Sequence, residues 1–266
     1  EEVILTPPAP PEPRVNGPKV FGVRPGSPFL YRIPATGQRP MNFRAEGLPE
    51  GLRLDADTGI ITGKVATPGT YRATLIAQND RGQSQREFRI MVGNQLALTP
   101  YMGWNHWYTH YNRVTDQTIR TAADVMISSG MADYGYSYVN IDDCWMKKPD
   151  SEDPELGGPA RDPDGRIRSN KRFPDMKALA DYIHSKGLKA GLYTSPGPLT
   201  CAKFEGSYKH EAQDARTFAE WGYDFLKYDW CSYRTLSPGT QREHFYPVYK
   251  LMWDELQKVD RDIVFN

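Results

Sequence analysis

Apolar positions repeat with two different periods along this chain, and the change falls between residues 93 and 98. Upstream, alternation with period two is clearest in two runs. Tyr71, Ala73, Leu75 and Ala77 share one face of a strand, and Phe88, Ile90 and Val92 share one face of its partner. Asn79-Asp80-Arg81-Gly82 between them reads as a hairpin loop, with Gly82 available for positive φ. Shorter β-like runs fall at Lys19–Val23, Phe29–Ile33, Met41–Ala45 and Gly59–Val65. This spacing predicts a small β-sandwich over 18–93. Residues 1–17, EEVILTPPAPPEPRVNG, are rich in Pro and polar groups and predict an extended leader without a core of its own.

Downstream of Leu98, apolar runs alternate with segments of helical period. A helix is predicted from Thr115, a suitable N-cap, with Ile119, Ala122, Ala123, Met126 and Ile127 on one stripe and Gly130 to end it. Further helices are predicted at about 174–186, with Pro174 in the first turn, at 207–220 and within 240–258. The strands between them are predicted at about 100–103, 136–141, 188–193, 225–228 and 262–266. Alternation of this kind implies right-handed βαβ units around a parallel sheet. A complete eight-unit barrel takes about 250 residues, more than the run from 98 to 266 provides. The sheet is then either open or the first part of a barrel. A final segment that reads as a buried strand without a covering helix favours the second.

Composition narrows the function classes. The chain has 266 residues, 33 basic and 33 acidic, so no net charge draws it to nucleic acid or an anionic membrane. No apolar run approaches the ~20 residues of a membrane span. The first residue is Glu1, and no signal peptide is visible, which suggests a processed chain. Three cysteines, Cys144, Cys201 and Cys231, allow at most one internal bridge and leave one thiol over. His106 and His110 stand four apart without the acidic neighbour of a zincin helix, and no metal site is expected. Asp55, Asp57 and Thr58 offer too few carboxylates for a calcium cage and predict a plain turn.

In a parallel barrel, reactive groups collect at the C-terminal ends of the strands. The second strand delivers Asn140, Asp142 and Asp143 there, the third Tyr193, and the fourth Lys227, Asp229 and Cys231. Residues two apart share a face, so Lys227, Asp229 and, if the extended geometry persists, Cys231 point the same way. An ammonium beside Asp229 favours the ionised carboxylate that a nucleophile requires. Any one Asp at a strand end also serves as a helix cap or loop anchor. Trp104 and Trp107, just past the first strand, suit either a core or the apolar wall under a sugar ring.

The runs LALTPYMGWNHW, GYSYVNIDDCW, RDPDGRIRSNKRFPDMKALADYIHSKGLKAGLYTSPGPLTC and WGYDFLKYDWC resemble glycoside hydrolase family 27, the α-galactosidases and α-N-acetylgalactosaminidases, over about 98–266. The stretch GLPEGLRLDADTGIITG resembles the immunoglobulin-like module found beside bacterial carbohydrate enzymes. The implied architecture is an Ig-like β-sandwich at 18–93 followed by about strands one to five of a (β/α)₈ barrel at 98–266. The resemblance implies a retaining glycoside hydrolase that removes terminal α-linked galactose from oligo- or polysaccharides, without metal or organic cofactor. It makes Asp229 the nucleophile. Asp142 and Asp143 become acceptors for the sugar's 4- and 6-hydroxyls, Lys227 a donor to the 3- and 4-hydroxyls, Trp107 the aromatic wall and Tyr193 the tyrosine at the third strand end. Cys201 and Cys231 match a disulfide at the rim of the sugar site.

Two departures qualify the match. The loop after the first strand, WYTHYN, lacks the cysteine to which many relatives bridge the cysteine of IDDCW, so Cys144 is expected to be a free, buried thiol. The family's acid/base aspartate follows a sixth strand, and nothing here corresponds to it. Alternatives are a related α-N-acetylgalactosaminidase, β-L-arabinopyranosidase or isomalto-dextranase activity, or a non-catalytic sugar-binding protein. The bridge-forming pair and the Pro-rich leader suggest export to the periplasm or outside the cell.

Overall fold

A computed structural model describes residues 8–237, 239 and 241–266. The chain divides into two compact units. The first takes in residues up to 102 together with 126–137, and the second comprises 103–125 and 138–266.

Among the described residues the first unit holds nine strands: β1 (Arg14–Val15), β2 (Val20–Val23), β3 (Pro28–Arg32), β4 (Ala35–Thr36), β5 (Asn42–Glu46), β6 (Leu52–Leu54), β7 (Ile60–Lys64), β8 (Gly69–Asn79) and β9 (Gly82–Val92). One sheet runs β2-β9-β8-β5 and another β3-β7-β6. Alternation aims Leu75, Ala77, Phe88, Ile90 and Val92 into a core that also takes Phe29, Ile33, Phe43 and Ile61. The hairpin turns on Asp80 and Arg81, with Asn79 paired to Gly82 and the Asn79 side chain accepting from the Arg81 N–H at 2.8 Å. The Asp55 carboxylate accepts from the Asp57 and Thr58 backbones, both at 3.0 Å, in the plain turn expected there.

The leader expected over 1–17 requires correction in its described part. Arg14–Val15 pairs with Ala35–Thr36, and Val15 is buried in the core. A two-residue strand carries no periodicity, so its apolar anchor is invisible in a Pro-rich context. Residues 1–7 of that leader lie outside the described residues.

Among the described residues of the second unit, five strands form one parallel sheet in chain order: β10 (Gly103–Asn105), β11 (Tyr138–Asn140), β12 (Lys189–Thr194), β13 (Phe225–Tyr228) and β14 (Val264–Phe265). The short α1 (Trp107–His110) follows β10. The longer helices are α2 (Asp116–Ser128), α3 (Met176–Ser185), α4 (Glu211–Trp221) and α5 (Arg242–Gln257). β10 begins where the expected strand ended, because Gly103 is the residue that pairs with Tyr138, and a Cβ there would sit 2.6 Å from the Tyr138 Cβ. The α2 N–H of Thr118 is capped by Thr115 Oγ1 at 3.2 Å. α3 starts later than Pro174 because Asp175 is its cap, accepting from the Ala178 N–H at 2.9 Å. α4 starts later than Ser207, whose hydroxyl is engaged by Thr194 at 2.9 Å and whose N–H donates to the Ser195 carbonyl. The predicted start of the last helix at 240 lies outside the described residues.

Gly191 sits directly opposite Asn140 in the sheet, and a Cβ there would lie 2.6 Å from the Asn140 Cγ. Overpacking of this kind costs about 1–3 kcal/mol. Gly191→Ala is therefore expected to lower the denaturation midpoint, and adding Asn140→Ala is expected to restore part of the loss. Equal stability of Gly191→Ala and the parent would show that the interior has slack at this point.

Candidate active site

The register of the parallel sheet places the chemistry. Asn105 pairs with Asn140, Asn140 with Gly191, and Tyr193 with Lys227. The residues that follow these positions emerge at one end of the sheet, the end at which βα folds gather their reactive groups.

Asp142 is buried, its side chain 3% exposed, and it is held from three directions. Its Oδ2 accepts from Lys227 Nζ at 2.9 Å and from Asn105 Nδ2 at 2.7 Å. Its Oδ1 accepts from the Asp143 N–H at 2.9 Å. Asp143 is also buried. Its Oδ1 accepts from the Cys144 N–H and Thr200 Oγ1, both at 2.7 Å, and its Oδ2 from the Ala202 N–H at 2.8 Å. Burial pushes the Asp143 carboxyl above the usual carboxylate range, against these three donors, which favour its ionised form. An ionised carboxylate offers about four lone-pair sites. One acceptor position therefore remains on Asp142 Oδ1 and one on Asp143 Oδ2.

Lys227 is the link to the fourth strand end. Besides Asp142, its Nζ lies 3.8 Å from Asp229 Oδ2 and 5.0 Å from the centre of the Tyr193 ring. Its tighter partner is thus Asp142, not the sequence neighbour Asp229. The Asp229 N–H donates to the Thr194 carbonyl at 3.0 Å, which extends the strand pairing to the residue itself. Its carboxylate stays 40% exposed, unlike those of Asp142 and Asp143. Burial and the nearby carboxylates drive the Tyr193 phenol well above its ordinary pKa, so it remains a donor. Its hydroxyl lies 3.5 Å from Asp229 Oδ2 and 3.2 Å from Cys231 Sγ. The Trp145 indole N–H fixes the Tyr193 carbonyl at 2.8 Å.

Cys201 and Cys231 form a disulfide, and Cys201 Sγ lies 3.9 Å from Asp229 Oδ2. The bridge ties the loop after β12 to the end of β13 beside that carboxylate. Cys201, Asp229 and Cys231 also bring potential ligand atoms within 4.8 Å of one another, but the two sulfurs are bonded to each other and offer no thiolate. Cys144 is free and buried, and burial pushes its thiol up, as suits an inert packing residue. Trp107 opens α1, and its N–H donates to Asn105 Oδ1 at 2.9 Å. Its ring meets Tyr111 edge-on at 5.7 Å and His106 at 6.3 Å.

Asn105, His106 and Thr200, none of them expected to serve this site, bond to Asp142 or Asp143 through their side chains. Each acts on Asp142 or Asp143 across 36 to 57 residues. The only local signal is the position of Asn105 and His106 at a strand end. His106 has no solvent exposure, and burial lowers its pKa to about 4 against the raising effect of Asp142. An unfolded histidine binds its proton near pH 6.5, so acid stabilises the unfolded chain first. The contribution of His106 to stability is expected to be complete above about pH 6.5 and to be lost, by about 3 kcal/mol, as pH drops through 4. Urea titrations from pH 7 to 4 on the parent and a His106→Asn variant would check this, the variant losing less over that interval.

Comparison with known proteins places these features in a family. Residues 99–266 match the family model described as Alpha galactosidase A, and residues 12–93 match the one described as "Putative Ig domain". The α-galactosidase A of Cellvibrio japonicus is 45% identical over 174 residues, 65% of this chain and 38% of that protein. The α-galactosidase of Coffea arabica is 43% identical over 181 residues, covering 67% and 43%. A solved structure of a "putative alpha-galactosidase" from Bacteroides fragilis matches 98% of this chain and 53% of its own, with a TM-score of 0.88 at 41% identity. α-Galactosidase I from Mortierella vinacea gives 0.57 at 40% identity, over 64% of this chain and 40% of that one. The chain spans about two fifths of the length of the curated relatives it matches. With its motifs at the ends of consecutive parallel strands, this chain belongs to the α-galactosidase family, glycoside hydrolase family 27, through residues 99–266.

Proposed function

We propose that this chain carries the nucleophile and the galactose-reading half of a retaining α-galactosidase acting on terminal α-galactosides of oligo- or polysaccharides. The observation that carries the reading is the single ammonium of Lys227, 2.9 Å from Asp142 and 3.8 Å from Asp229. One cation thus joins buried acceptors to a more exposed carboxylate, which is what recognition and attack on the same sugar require.

Asp229 attacks the anomeric carbon and forms a glycosyl ester. The glycosidic oxygen leaves with the bond's electron pair and takes a proton from a second carboxylic acid. Water then adds at the anomeric carbon, gives a proton to that second group, and releases Asp229. The second group follows a sixth strand in the family and has no counterpart among these five. The open acceptor positions on Asp142 and Asp143 suit hydroxyls at carbons 4 and 6. A sugar with the opposite configuration at carbon 4 leaves a buried acceptor unpaired. A pentose lacks the 6-hydroxyl, which argues against an arabinosidase.

The test is covalent labelling of the full-length protein with a mechanism-based galactosyl inhibitor and mapping of the modified peptide. The label is expected on Asp229. A label on another carboxylate overturns the assignment. The Cys201–Cys231 bridge supports function in an oxidising compartment, periplasmic or extracellular. Among the described residues no helix is long and apolar enough to cross a membrane.

A further inference from the structure

We propose that His106 is a positioning residue for sugar recognition, holding Asp142 and the aromatic turn 107–111 in one register through its two ring nitrogens. The proposal rests on the galactose reading above. The Asp142 N–H points at His106 Nδ1 at 2.9 Å, so Nδ1 must be the acceptor and the proton resides on Nε2. That N–H donates in turn to the Tyr111 carbonyl at 3.2 Å. Tyr111 has φ 48° and ψ −129°, a backbone conformation that side-chain-bearing residues rarely adopt without an external hold. Trp107 stands edge-on to both the His106 and Tyr111 rings.

A second tie runs alongside. The Asn105 amide donates to Asp142 Oδ2 at 2.7 Å and its carbonyl accepts from the Trp107 N–H at 2.9 Å. The backbone of Asp142 is therefore anchored by His106, its carboxylate by Asn105, and both anchors continue into the turn that carries Trp107. The charged and titratable groups acting on the ring are Asp142, His110 and Lys227. A proton on Nδ1 would set two donors against each other at the Asp142 N–H and release that anchor. The consequence for the reaction is directional. Loss of the Nδ1 acceptor lets the Asp142 backbone move, and the discrimination that depends on an unpaired acceptor weakens.

The experiment compares His106→Asn, which keeps an acceptor near the Nδ1 position, with His106→Gln, which keeps a donor near the Nε2 position, and with His106→Leu. Each is made in the full-length protein. KM and kcat are measured on matched aryl α-galactoside and α-glucoside, with thermal unfolding alongside. The Asn variant is expected to keep the galactoside-to-glucoside ratio of kcat/KM within about threefold. The Gln and Leu variants are expected to lose about tenfold or more of it, mainly through a higher KM for the galactoside. If Leu does not fold, the Asn and Gln pair still decides. An unchanged ratio in Gln, or an equal loss on both substrates that follows the loss of thermal stability, overturns the proposal. A parent protein that hydrolyses neither substrate defeats the galactosidase reading instead. Nitrogen NMR of the parent gives the independent readout: a neutral His106 protonated at Nε2 supports the positioning role, and a ring protonated at Nδ1 overturns it.

Discussion

Asp229→Asn is expected to reduce turnover of an aryl α-galactoside by about 10⁴-fold or more in the full-length protein, while leaving the fold and galactose binding in place. The amide matches the carboxylate in shape but cannot form the glycosyl ester at a useful rate. The surroundings predict the separation of the two effects. Asp229 is the least buried of the three carboxylates, and its backbone bond to Thr194 does not involve the side chain. Lys227 keeps its closer partner, Asp142, at 2.9 Å. Equilibrium binding of galactose should therefore change little, and kcat should carry the loss. The pair of measurements is single-turnover hydrolysis and calorimetric binding. Retention of a tenth of the parent activity would remove Asp229 from the role of nucleophile.

Arg161→Ala is expected to cost about 3–5 kcal/mol of stability, the range for removing one partner of a buried ion pair. The guanidinium is 10% exposed and uses both faces of its fork. Nε donates to Glu205 at 2.6 Å. Nη1 donates to Asp214 at 2.7 Å and to the Gly165 carbonyl at 2.9 Å. Nη2 donates to Asp214 at 2.9 Å and to the Gly206 carbonyl at 2.7 Å. Asp214 has no side-chain exposure, so truncation leaves its charge buried without a partner. Burial opposes the Arg161 cation, but Asp214 and Glu205 more than compensate and raise its pKa. For a domain of this size the loss corresponds to roughly 10 °C in thermal midpoint. Arg161→Lys should recover little, because an ammonium cannot span Asp214 and both carbonyls at once. A shift below about 1 kcal/mol in the Ala variant would mean that the surrounding loops close without this tie.

The division between what the sequence reveals and what it hides follows contact range. β12 and β13 are legible within a residue or two because mostly apolar runs are bounded by Gly, Pro or acidic residues. Asp142, Asp143, Lys227 and Asp229 are legible as candidates because strand ends are where parallel sheets present chemistry. β1, β4 and β6 are hidden because two or three residues hold no measurable period, whereas the equally short β10, β11 and β14 are marked out by the helical segments that alternate with them. The segment between Cys144 and Phe173 is hidden for another reason. It contains no regular element, and Asn170 stitches it by donating to the Cys144 and Met146 carbonyls at 2.7 and 2.8 Å. The helix starts fail by a few residues where a side chain takes a partner that pattern alone cannot supply. Asp175 caps α3, and Ser207 is diverted to Thr194. Asn105 and His106 fail for the same reason at longer range, since nothing in the run WNHW announces that its polar groups answer to Asp142.

The five strands of the second unit lie in the sheet in the order in which the chain is made. A polypeptide leaving the ribosome can thus add each strand to the edge left by the one before, without holding an unfilled gap open for a distant segment. Closing one βα loop at a time keeps the entropic barrier of each step small. The Asp142–Lys227 pair, 85 residues apart in the chain, can then come together through two neighbouring strand additions instead of a single long-range search.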